Sequence, residues 1–153
     1  MAIDRWASVG AASANRTRGQ ALTEFESESR SARHFRFADL PREQVADHLT
    51  RSAVRSDDSL AVLNWMDPRP AARAPHHHPF DQLSFVLEGE MEFTVDDRTF
   101  RVAPGEVLVI APDAKHTARA LGSVTALSLD IFAPARPDYL HLAAHQQESR
   151  IDR

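Results

Sequence analysis

Three consecutive histidines, His76, His77 and His78, stand in the stretch APHHHPFDQLSFVLEGE. Gln82 lies four residues beyond the last of them, and His116 follows in APDAKHT. Imidazole nitrogens and an amide oxygen are donors for a divalent first-row metal, and the chain has no cysteine to add a thiolate. On an extended segment alternate side chains point to opposite faces, so His76 and His78 share a direction that His77 does not. Gln82 keeps that parity if Pro79 does not shift it. The candidate site is therefore His76, His78, Gln82 and His116 around one divalent ion, with room for water or substrate and with His77 outside it. The alternative is a chance histidine tract in a proline-rich loop, its buried members held only by hydrogen bonds.

Strands must position such a set. The stretches SLAVLNWM, QLSFVLEG, MEFTVD, RTFRV, VLVIA and VTALSLDIF are short and rich in β-branched and aromatic residues. Turn chemistry separates them at Glu88-Gly89, Asp96-Asp97, Pro104-Gly105 and Leu121-Gly122. Strands at this spacing, with no helices between them, predict an all-β antiparallel sandwich or barrel. Ahead of it, HFRFADLPREQVADHL predicts a short strand and then a helical turn or two begun near Asp39 and Pro41. Within QLSFVLEG, Gln82, Ser84 and Val86 share one face, and Leu83, Phe85 and Leu87 the other. Bulk on both faces predicts that both are covered, the second by another sheet or by a second copy of the chain, so a homodimer is expected.

The length of 153 residues with 42% hydrophobic content allows one core. Residues 1–33, rich in Ser, Glu and Arg, are expected to be a weakly ordered extension, residues 34–140 the barrel, and residues 141–153 a tail that could hold a short helix. A formal charge of −4, with Lys115 the only lysine among 18 basic residues, argues against nucleic acid. No stretch has the length of a membrane span or of a signal-peptide core, and the lack of cysteine fits a cytoplasmic setting.

The pattern His76-x-His78-x3-Gln82-x6-Gly89 resembles the first motif of the cupins, with Gln in the usual Glu position. PGEVLVIAPDAKH, with Gly105, Glu106, Pro112 and His116, resembles the second; Ala111 and Ala114 are mild departures. The resemblance implies a single cupin barrel of the double-sheet jelly-roll type, with a short helical turn before it. It also implies one divalent ion at the centre, with Zn, Ni, Fe and Mn all admissible. Over roughly His34 to Tyr139 the chain is similar to the small pectin-degradation cupins of the KdgF type, in which a Gln ligand is the rule. Those proteins convert 4,5-unsaturated uronates into linear keto forms. Their D-x-F-x-P-x-R segment falls on Asp130, Phe132, Pro134 and Arg136.

That resemblance implies catalytic roles for Asp130, as a proton shuttle, and for Arg136, as a partner of the substrate carboxylate. Phe132 and Ser84 would line the substrate pocket, and Tyr139 could cap its mouth. Ser84 stands where some members carry an amide. Read without the family, these residues are a surface Asp at a strand end, a core Phe and a solvated Arg in a proline-rich tail. An amide ligand would leave a divalent ion at its full charge of +2, where a carboxylate would leave +1, and so would strengthen the pull on an anion. The expected function is metal-dependent, Lewis-acid-assisted proton transfer on a small oxygenated anion, a ring-opening isomerase being the named example. An iron-dependent dioxygenase and a non-catalytic sugar- or acid-binding cupin are the alternatives.

Overall fold

The computed structural model describes residues 32–68 and 74–148. Most of the expected extension and the end of the expected tail lie outside them. The chain divides after Arg33, and the strands and helices described below belong to the unit beginning at His34. Nine strands form within its described residues: β1 (Glu43–Ala46), β2 (Leu49–Arg55), β3 (Leu60–Met66), β4 (Gln82–Glu88), β5 (Met91–Val95), β6 (Arg98–Val102), β7 (Val107–Ile110), β8 (His116–Ala120) and β9 (Ala126–Phe132). They build two antiparallel sheets, one ordered β1-β2-β3-β9-β4-β7 and the other β6-β5-β8. This is a single antiparallel sandwich or barrel, as the resemblance implies. Among the described residues no helix is long and apolar enough to cross a membrane.

Three of the four turn signals mark corners between the sheets. Gly89 lies between β4 and β5, Gly105 between β6 and β7, and Gly122 between β8 and β9, each with positive φ. Asp96-Asp97 alone closes a hairpin, with Val95 opposite Arg98. At Gly89 (φ +71°) a β-carbon would meet the Ala126 α-carbon at 2.9 Å, so both conformation and space require glycine.

The helical turn before the barrel is a 3-10 helix over Phe37–Asp39, and it ends ahead of Pro41. Leu40 is extended (φ −72°, ψ 136°), as a residue before proline prefers. The segment expected to continue as helix is instead β1, paired with β2 from Glu43↔Arg51 to Ala46↔Leu49. After β9 a second 3-10 helix, Pro137–Ala143, leads into a short α1, His145–Glu148. Leu142 and Ala143 are buried against Ala53, Leu60, Val62 and Phe132. The Gln146 side chain accepts from the Arg55 N–H (2.7 Å) and donates to its carbonyl (3.1 Å), closing the end of β2 as another strand would. Residues 141–146 are thus packed on the barrel.

The interior has a layered order. Leu49, Met66, Val86, Met91, Phe93, Val102 and Ile110 belong to one apolar cluster, and Phe132 with the second 3-10 helix belongs to another. Between them runs a polar belt. Register places Arg51 beside Asn64, Asn64 beside Ser128, and Asp130 beside Ser84. A third cluster, Leu40, Leu63 and Leu127, covers part of the large sheet's other face.

Candidate metal centre

His76 forms an isolated antiparallel bridge with His116, each backbone N–H donating to the other's carbonyl at 2.9 and 2.8 Å. This bridge sets the two rings 4.4 Å apart, and the His78 ring lies 4.9 Å from His116. Side-chain ligand atoms of His76, His78 and His116 all fall within 4.8 Å of one another. One divalent ion with bonds of roughly 2 Å can therefore be shared by them after small side-chain adjustments. The cluster is compatible with a single such ion. His77 points away and its exposed ring lies 3.8 Å from the Asp113 carboxylate.

The hydrogen bonds fix which ring nitrogens face inward. His116 Nδ1 donates to the Ala114 carbonyl (2.8 Å), which leaves the lone pair on Nε2, and that buried atom has no partner among the described residues. Burial lowers the His116 pKa and favours the neutral imidazole that a metal requires. His78 Nδ1 is held by the Phe80 carbonyl (2.9 Å), so its Nε2 lone pair faces Gln82 Oε1 at 3.1 Å. The Gln82 amide is oriented by its own donation to Ser84 Oγ (3.3 Å). Two acceptors held face to face repel unless a cation lies between them. Orphaned His116 and the His78–Gln82 pair both fit a metal centred on these side chains, with Gln82 Oε1 a candidate fourth donor.

The site continues from Gln82 along the large sheet. Ser84 Oγ donates to Asp130 Oδ1, and Asn64 Nδ2 donates to Asp130 Oδ2 at 2.9 Å. Burial pushes the Asp130 carboxyl up; the Ser84 hydrogen bond, the Arg51 charge and the Asn64 bond oppose it. Phe132 is fully buried, edge-on to His78 at 5.6 Å and to Tyr139 at 6.2 Å, so it walls the cavity between metal centre and mouth.

Arg136 also lines the cavity, its guanidinium 4.0 Å from the centre of the Tyr139 ring. Its Nε and Nη2 already donate to the two oxygens of Asp138, both at 2.8 Å. The Asp138 carboxyl is held below the usual range by that pairing.

Arg51 and Asn64 belong to the site but were not singled out by sequence reasoning. The Asn64 amide could have been found, because it interrupts the apolar alternation Leu60, Val62, Asn64, Met66. Arg51 could not, since LTRSAVR shows no alternation that separates it from a surface strand.

Residues 65–132 match the family model described as a cupin domain. Among solved structures, KdgF from Halomonas sp. is 29% identical with a TM-score of 0.64, the match covering 71% of this chain and 98% of that one. An RmlC-like cupin from Shewanella frigidimarina is 26% identical, TM-score 0.58, covering 71% and 96%. The TT1209 protein from Thermus thermophilus is 26% identical, TM-score 0.54, covering 59% and 87%. No curated protein sequence matches. Residues 65–132 thus carry the match to a cupin domain, and the chain resembles KdgF.

Proposed function

We propose that this cupin is a metal-dependent enzyme that opens a small anionic sugar ring by proton transfer, its substrate a 4,5-unsaturated uronate. The observation that supports this most is the connection of Asp130, through Ser84, to Gln82 beside three converging histidines, in a chain similar to KdgF. A divalent ion held by His76, His78, Gln82 and His116 would supply Lewis-acid polarisation of substrate oxygens.

The reaction balances without a co-reactant. C4 gains a proton, the bond from the ring oxygen to the anomeric carbon breaks, and the ring oxygen becomes the keto oxygen on C5. The anomeric hydroxyl loses its proton as the aldehyde forms. Asp130 would carry that proton, with Ser84 and Asn64 fixing both carboxyl oxygens. Phe132 excludes water from one wall, and Arg136, paired with Asp138, packs on Tyr139.

The test is to add metal-loaded protein to an unsaturated uronate. Its ultraviolet absorbance should fall and a linear keto product should appear by NMR, with no oxygen consumed. An unchanged uronate would sink the substrate assignment, and oxygen uptake would favour the dioxygenase alternative.

A further inference from the structure

The cavity holds two arginines, and their charges are disposed differently. Arg136 is a closed pair, its fork occupied by Asp138. Arg51 is bound otherwise: its Nε donates to Asn64 Oδ1 (2.7 Å) and its Nη1 to the Tyr139 hydroxyl (2.6 Å), both neutral acceptors. Two of its five donors are used to hold the guanidinium still, and three are left over. The group is half-buried, it rises from β2 into the same cavity as His76, His116 and Asp130, and it stands 4.8 Å from the centre of the Tyr139 ring.

A guanidinium braced by neutral neighbours keeps its charge for an incoming group. It also loses little freedom on binding, because its direction is already set. A carboxylate in the cavity would meet in Arg51 a fixed guanidinium that is hydrogen-bonded only to neutral acceptors and has Asp130 as its charged neighbour, whereas the charge of Arg136 is already paired with Asp138.

We infer that Arg51, held by Asn64 and Tyr139, is the residue that receives the substrate's carboxylate, and that Arg136 acts mainly by positioning Tyr139 and Asp138 at the mouth. The inference rests on the anionic-substrate reading above. It makes Asn64 a shared brace, since that amide accepts from Arg51 and donates to Asp130. Carboxylate binding and orientation of the proton carrier are thereby linked through one side chain.

The experiment uses the metal-loaded full chain and two non-reacting probes, galacturonate and the uncharged sugar galactose, with affinities read by calorimetry. Wild type should prefer galacturonate. Arg51→Gln should lose roughly ten- to hundredfold in galacturonate affinity, as expected for a charge-assisted bond, with galactose affinity and metal content unchanged. Arg51→Lys, which keeps the charge and gives up the fork, should fall between. Arg136→Gln should keep most of the preference. A full preference retained in Arg51→Gln, or its loss in Arg136→Gln alone, would overturn the assignment while leaving the proposed reaction standing. A wild type that does not distinguish the two sugars would remove the anionic-substrate reading and this assignment with it. Should Arg51→Gln fail to fold, Arg51→Lys decides: a preference equal to wild type counts against the fork, and a reduced one supports it.

Discussion

At the scale of single residues, the inward-facing nitrogens make the strongest statement. His116→Ala removes a donor whose lone pair has no other partner among the described residues, so metal content of the purified protein should fall well below one ion per chain. His77→Ala should retain metal, because its ring points to Asp113 and away from the centre. Elemental analysis of both variants checks the pair. Asp130→Asn should keep metal and fold but lose about 10²- to 10⁴-fold in turnover, with substrate still bound, if its proton moves only in the transition state. Initial rates against substrate concentration give that split. Asp138 gives a pH prediction. Its folded pKa lies below its ordinary 3.8, so its contribution is present above the unfolded value and is lost as pH falls through the folded one. Its side chain is 57% exposed, so solvent screening limits the effect to about 0.5 kcal/mol. Asp138→Asn should be slightly less stable than wild type at neutral pH, and denaturant curves of the two should converge near the acid limit.

At the scale of elements, corners carry more of the design than hairpins. Gly89→Ala places a β-carbon against the Ala126 backbone and keeps a left-handed residue, two penalties that together come to roughly 2–5 kcal/mol. Gly105→Ala keeps the conformational penalty, but nothing lies within 4 Å of the new carbon, so about 1–2 kcal/mol is expected. Urea denaturation of the two variants should show that order. Both corners were legible in the sequence as turns; that they pass between sheets was not, because two residues at a corner look the same as two in a hairpin. Strands β3 to β7 and β9 were legible because β-branched residues crowd them. Strand β2 was missed because Arg51 occupies an inward position where alternation calls for an apolar residue. Strand β8 was read only through His116, its HTARA being too polar to announce a strand. Parity alone carries Gln82 along with His76 and His78 only if Pro79 does not shift the chain; residues 79–80 in fact bend, and Gln82 comes to face His78 as the first residue of β4. The partners of Arg136 and Arg51 were not readable, since each depends on the path of the segment after β9 or on register between distant strands.

At the scale of the whole molecule, the outer face of β4 and β7 is apolar, and no further strand among the described residues extends the sheet beyond β7. Leu83 lies opposite Val109 and Phe85 opposite Val107, and β7 is the last strand of its sheet. Val109 is 64% exposed, Val107 47% and Leu87 37%, whereas the other face of β4 is buried in the barrel. The N-terminal cluster around Leu40 and Leu63 covers a different part of the large sheet. A contiguous apolar strip on a sheet edge is a liability in a monomer, and a two-fold contact covers it with a copy of itself. The homodimer expected from Leu83, Phe85 and Leu87 should therefore use Val107 and Val109 as well. Val109→Glu puts a charge at the most exposed point of the strip, and in a dimer it would face its own symmetry mate or buried apolar surface. Light scattering should give the mass of two chains for wild type and of one for Val109→Glu, with metal content unchanged because the side chain lies on the opposite face from the histidines. A wild type that scatters as a monomer at high micromolar concentration would refute the dimer. A dimer untouched by Val109→Glu would place its interface elsewhere.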